Sequence, residues 1–177
     1  GEAYRQQLHL LSNSKSAPIV VRSKEEKKKN PERLNMDRKK LENCPVLQHE
    51  EQLKLLNYQN NKLSEINNLY NLPNLIFLDL YNNRIKAITN LDAIPSLRVL
   101  MLGKNHIETI ENLEALTKLD VLDLHCNKIS VIENLNHLKE LRVLNLAGNQ
   151  ISKVENVSGL VSATEINFRR NKVGFCF

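Results

Sequence analysis

The chain has 177 residues, of which 41% are apolar and 25% charged, and a formal net charge of +5; these values suit one modest globular domain with a tail. No apolar run approaches the ~18 residues a spanning helix needs, and Leu8 to Leu11 is too short for a signal-peptide core, so a cytosolic-type chain is expected and no membrane contact. Cys44, Cys126 and Cys176 are odd in number and lack a Cys-x-x-Cys pair, and only five glycines are present; free thiols are expected, with no metal, no cofactor and no glycine-rich phosphate loop.

The charge is unevenly spread. Residues 1 to 40 hold 11 Lys/Arg against 5 Asp/Glu, and residues 41 to 177 hold 14 against 15. Most of the excess falls in an amino-terminal arm, residues 1–30, rich in Lys, Ser and Asn. Such a stretch buries too little apolar area to offset its ordering entropy, so it is predicted to be mostly disordered when free. Lys24, Lys27, Lys28 and Lys29 make it a candidate tether for an acidic partner. No aromatic residues interleave with these lysines, so nucleic acid is not an expected partner.

Residues 31–52 follow as a degenerate capping repeat, with Leu34, Met36 and Leu41 in apolar slots. From Leu53 onward the sequence repeats every 22 residues. The second unit shows the pattern plainly: Leu75-Ile76-Phe77-Leu78-Asp79-Leu80-Tyr81-Asn82-Asn83-Arg84-Ile85, which is L-x-x-L-x-L-x-x-N-x-I, the leucine-rich-repeat signature. Residues 53–177 thus read as five full repeats and a partial sixth. The fourth and sixth positions alternate with polar neighbours, as inward residues of a short strand do. The expected fold is an α/β leucine-rich-repeat solenoid with a parallel β-sheet on its concave face and 3₁₀ or short α turns on its convex face.

The ninth position is Asn61, Asn83, Asn105, Asn127, Asn149 and Asn171. A buried amide must be hydrogen-bonded, so these residues are expected to form a ladder joining adjoining turns. A second Asn column, Asn68, Asn90, Asn112, Asn134 and Asn156, precedes apolar residues and is expected to cap short convex helical turns. Cys44 and Cys176 occupy the slot of Ile66, Ile88 and Ile110 and are expected in the core as small apolar residues.

Third, fifth and seventh positions should face out of the concave wall. Leu55, Phe77, Val99, Val121 and Val143 would then make a solvent-facing apolar stripe. Asp79, Met101, Asp123, Tyr81, His125 and Arg169 stand beside it, giving an apolar spine with a polar rim, as protein-binding surfaces have. The last unit stops short of a polar cap, leaving Ile166, Phe168, Val173 and Phe175 to be covered by further chain or a partner.

Enzyme readings fare poorly. His49-Glu50 begins like a zinc-protease motif, but Leu53 stands where the second His is required. Asp123 and His125 could pair, yet no activated Ser or Cys nucleophile accompanies them. Asp79 and Asp123 share a column, with nothing evident to raise the pKa of either. No catalytic role is expected.

The 22-residue form is similar to the short repeats of a phosphatase-1 regulatory subunit and an axonemal dynein light chain. Asn30-Pro31-Glu32-Arg33-Leu34-Asn35-Met36-Asp37-Arg38, with Leu75 to Tyr81, Leu97 to Leu100 and Leu119 to His125, more specifically resembles the leucine-rich-repeat subunit family of the tubulin polyglutamylase complex. That resemblance spans roughly residues 18 to 172. It implies a non-catalytic scaffold for a glutamate ligase subunit, acting on tubulin at cytoplasmic microtubules, centrioles or cilia. A phosphatase-regulatory or dynein-associated protein is the alternative.

Overall fold

The computed structural model describes residues 17–174. Their order is β1 (Ile19–Val20), α1 (Lys24–Lys29), β2 (Arg33–Asn35), β3 (Val46–Leu47), then β4 (Leu55–Asn57), β5 (Phe77–Asp79), β6 (Val99–Met101), β7 (Val121–Asp123), β8 (Val143–Asn145) and β9 (Glu165–Asn167). Strands β2 and β4 to β9 form one seven-stranded parallel sheet in sequence order. Each strand is shifted by one repeat from the next, pairing Leu55 with Phe77, Phe77 with Val99 and Val99 with Val121. A 22-residue period laid down without insertions leaves no other register, because a slip would turn the inward leucines outward.

Seven apolar slots per turn fill the interior. In the third full repeat these are Leu97, Leu100, Leu102, Ile107, Ile110, Leu113 and Leu116, all at 0% exposure. Truncating one such leucine to alanine costs about 2–5 kcal/mol in close-packed cores. Convex returns close through amides that reach back three residues, as Leu116 to Leu113 and Leu119 to Leu116 do. One return, Leu91–Ala93, is a full 3₁₀ helix. With so few residues per repeat, nothing longer fits.

Every described repeat leaves its strand through a left-handed residue at the eighth position: Arg38, Asn60, Asn82, Lys104, Cys126, Gly148 and Arg170. That kink carries the chain off the strand at the point where the ninth-position side chain turns inward. Asn105 shows the result. Its Oδ1 accepts the Ile85 amide at 3.0 Å, and its Nδ2 donates to the carbonyls of Leu80, Leu102 and Gly103 at 3.0, 3.1 and 3.2 Å. Asn61, Asn83, Asn127, Asn149 and Asn171 repeat the arrangement.

The second Asn column is not a set of helix caps. Asn90 has φ 59° and makes no side-chain cap bond. A left-handed backbone swings the amide toward the preceding turn instead of the following amides. Asn68, Asn90, Asn112, Asn134 and Asn156 each donate Nδ2 to the fourteenth-position carbonyl of the turn before, from Cys44, Ile66, Ile88, Ile110 and Ile132, at 2.7–2.8 Å. The convex side therefore carries a ladder of its own.

Residues 17–30 also depart from expectation: they are folded rather than a disordered arm. β1 pairs in parallel with β3, Ile19 against Val46 and Val20 against Leu47. Ser23 opens α1 with a reciprocal capping box to Glu26, and Glu25 with Lys27 to Lys29 suit the helix dipole. Arg22 then clamps the segment. Its guanidinium holds Glu50 through two bonds of 2.7 and 2.6 Å, and it donates to the carbonyls of Asn30 and Arg33. Glu50 is buried, so this pair substitutes for the solvent its carboxylate has lost. Lys27 is tied to the His49 carbonyl at 2.6 Å, whereas Lys24, Lys28 and Lys29 are exposed. Residues 1–16 of the arm lie outside the described residues.

Candidate functional site

The concave surface is built by the residues that alternate with the buried leucines. On β4, β6, β7 and β8 the buried residue stands between two half-buried ones. Leu55, Phe77, Val99, Val121 and Val143 form one continuous column through direct cross-strand pairing. They are half-buried, which corrects the picture of a freely exposed stripe: each shields its neighbours one strand away. Arg33 and Glu165 end the column with exposed charge.

A second column runs Asn57, Asp79, Met101, Asp123 and Asn145. Asp79 is buried at 7% exposure, with Oδ1 accepting the Tyr81 amide at 3.0 Å and Oδ2 accepting the Gln59 side chain. Contrary to the reading that nothing would raise this carboxyl, burial pushes its pKa up; the Tyr81 and Gln59 bonds oppose the shift, and the Asp123 and Asp37 carboxylates add to it. Met101 separates the two acids in the ladder.

At the seventh position the structure assembles an aromatic platform. Tyr81 and His125 stack with ring centroids 5.7 Å apart and planes at 27°, although a full repeat lies between them. Gly103 occupies that intervening repeat, and a Cβ there would collide with the His125 ring. Glycine is thus the residue that lets the imidazole lie back across the turn. Asp123 fixes the ring from below, its Oδ1 accepting the His125 amide at 2.9 Å and meeting Nδ1 at 2.6 Å. Lys104 places its ammonium 5.5 Å from the Tyr81 centroid, within cation–π range. Gly103 and Gln59 were read from sequence only as members of the seventh-position column, not as site residues, and Lys104 was not singled out. A glycine in a column of large side chains was the available signal for the first.

Arg169 stands exposed on the last described turn, and its amide donates to Asn167 rather than to any member of the platform. Ile166 and Phe168 are half-buried and Val173 is exposed, whereas the equivalent leucines and isoleucines of inner turns are fully buried. Phe175 and Cys176 lie outside the described residues.

Beside the Asp123–His125 pair in sequence, the Cys126 Sγ lies against Gly148, on the following turn. Cys44 is buried, donates weakly to the Glu65 carbonyl, and has its thiol pushed up to about 11 by burial. Glu50 of the zinc-like His49-Glu50 pair is taken by Arg22. Among the described residues no group of three or more His, Cys, Asp or Glu is placed to hold a metal ion. No helix among them is long and apolar enough to cross a membrane.

Comparison with known proteins agrees with this geometry. Residues 95–151 match the family model "Leucine rich repeat", and residues 51–93 match "Leucine Rich repeats (2 copies)". Leucine-rich repeat-containing protein 49 of Mus musculus is 54% identical over 54 residues, which is 30% of this chain and 8% of that protein. Its Homo sapiens counterpart is 53% identical over the same length, again with 8% of its length covered. The match therefore spans less than a tenth of these curated relatives. Among solved structures, an internalin of Listeria monocytogenes aligns with TM-score 0.64 and 29% identity, over 69% of this chain and 36% of that one. A leucine-rich-repeat protein of Leptospira interrogans aligns with TM-score 0.66 and 27% identity, over 74% and 38%. Solenoids of this kind typically serve as non-catalytic protein-interaction scaffolds. With the two family matches together taking in more than half of the chain, it is a leucine-rich repeat protein.

Proposed function

We propose that this protein is a non-catalytic scaffold subunit of a tubulin-modifying, polyglutamylase-type complex, gripping its partner on the concave sheet. The observation that carries the protein-binding reading is the Tyr81–His125 stack beside the Phe77–Val99–Val121 column. Stacked rings held by a carboxylate are rigid anchors of the type that dominates interface energies, and the neighbouring apolar column supplies area at little entropic cost. Leu55, Val143, Met101 and Asp123 extend the same footprint, Asp79 lies buried beneath it, and Arg169 marks its far rim.

The finer assignment draws support from the Asn30–Arg38 and Leu75–Tyr81 segments that resemble the polyglutamylase subunit family. The identity to leucine-rich repeat-containing protein 49 is compatible with it. In this reading the protein works in the cytoplasm on microtubules, at centrioles or cilia.

Affinity purification of the tagged protein from ciliated cells tests the assignment. A glutamate ligase together with tubulin in the eluate is the expected result. A phosphatase-1 catalytic subunit or dynein heavy chains in their place would transfer the protein to the alternative class.

A further inference from the structure

The residues from 40 to 177 carry balanced charge, 15 Lys/Arg against 15 Asp/Glu, but the fold sorts it. The tenth position of successive turns is Lys40, Lys62, Arg84, His106, Lys128, Gln150 and Lys172, all exposed. The backbone holds them in a stack: from Lys62 to Lys172 each amide donates to the eleventh-position carbonyl of the turn before, at 2.8 Å. Five cations therefore stand in one row on the side wall beyond the Asn ladder, without a carboxylate among them. Among the described residues none of the five forms an ion pair. The next outward column holds Glu42, Lys86 and Glu108, a net of −1 that leaves the wall positive when added to the row. Acids collect past it, at Glu111, Glu133 and Glu155. Stacked like charges repel, and a row left unneutralised is a ready site for an opposite charge.

We infer that this basic ridge binds an extended acidic segment of a partner protein. Six steps of about 4.8 Å give the row a length of roughly 29 Å, which matches eight or nine residues of extended polypeptide at ~3.3 Å each. The row is one residue wide and carries no Phe, Tyr or Trp, so it offers neither the enclosing groove nor the stacking faces that single-stranded nucleic acid uses. Flexible lysine stems can meet consecutive carboxylates without a fixed pitch. The site is separate from the concave platform and from α1, which docks beside His49 through Lys27.

The test is fluorescence anisotropy of a labelled decaglutamate peptide against the full 177-residue chain, with a single-stranded oligonucleotide and phosphatidylserine vesicles as competing probes. Binding of the peptide that weakens at least fivefold when salt rises from about 50 to 150 mM is expected, since exposed charges are then screened within ~8 Å. Lys62→Glu with Lys128→Glu should lower affinity at least tenfold, and the Lys62→Gln, Lys128→Gln pair should do so by less, without loss of the circular dichroism signal. Lys28→Glu with Lys29→Glu on α1, and Tyr81→Ala on the concave face, should leave peptide binding intact. Equal affinity in the ridge variants would overturn the proposal. So would tighter binding of the oligonucleotide or the vesicles than of the peptide. Loss of a ligase partner in Tyr81→Ala, with peptide binding kept, separates failure of one surface from failure of the other.

Discussion

Replacing Asn105 with alanine isolates what one rung of the ladder contributes. The three carbonyls that its Nδ2 serves each keep another donor: Leu80 retains Asn83, Leu102 retains Asn127, and Gly103 retains the Asn82 amide. The Ile85 amide keeps none, since its hydrogen bond goes to Asn105 Oδ1 and Ile85 is fully buried. The loss is therefore dominated by one orphaned buried N–H, at about 1–3 kcal/mol, with smaller contributions from the thinned carbonyl contacts. Asn171 makes the equivalent bond to the Ile151 amide but is only half-buried on the last described turn. Water can replace part of that rung, so Asn171→Ala should cost about 1 kcal/mol or less. Urea unfolding followed by circular dichroism reads both, and hydrogen exchange at the Ile85 amide reads the orphan directly. Equal losses at the two sites, or an unchanged midpoint for Asn105→Ala, would refute the ladder reasoning.

Three further outcomes follow from particular atoms. Tyr58 is fully buried with an unpartnered hydroxyl, so Tyr58→Phe should leave the urea midpoint equal or higher, by up to about 1 kcal/mol; a clear loss would reveal a partner for that oxygen. Burial raises the Asp79 carboxyl above its ordinary 3.8, so the folded state holds this proton more tightly than the unfolded chain. Its contribution is complete below about 3.8 and is lost as pH rises through the folded value; relative to wild type, Asp79→Asn should therefore gain stability with rising pH, and a pH-independent difference would contradict the assignment. Gly103→Ala should expel His125 from the Tyr81 stack, seen as a change in ring-current shifts on the imidazole protons with little loss of helix and strand signal; unchanged shifts would mean the glycine is not what seats the ring.

Much of the solenoid was legible because each slot reuses one residue type for one reason. Leucine at the fourth position and asparagine at the ninth recur in phase, and no other arrangement buries both. The second Asn column was equally visible as a column, but its role turns on a positive φ, which residue type alone does not reveal. The described part of the arm, residues 17–30, was misread for a different reason. Its lysine run dominates the composition, whereas its order comes from a short capping box at Ser23 and an ion pair between Arg22 and Glu50, 28 residues apart. Alternation along the strands identified the outward columns. How far those residues are shielded depends on the neighbouring turns, and so Asp79 came out buried and Phe77 half-buried. The Tyr81–His125 stack depends on what is missing at Gly103, a gap visible in the column whose consequence for packing residue type alone does not reveal.

The central claim is that the concave platform holds the partner, and a quantitative pull-down from ciliated cells tests it most directly. Wild type, a Tyr81→Ala, His125→Ala double variant and the Lys62→Gln, Lys128→Gln pair would be compared at matched expression and thermal stability. The ligase subunit should be captured by wild type and by the ridge variant and lost from the platform variant. Capture by the platform variant at the wild-type level would contradict it.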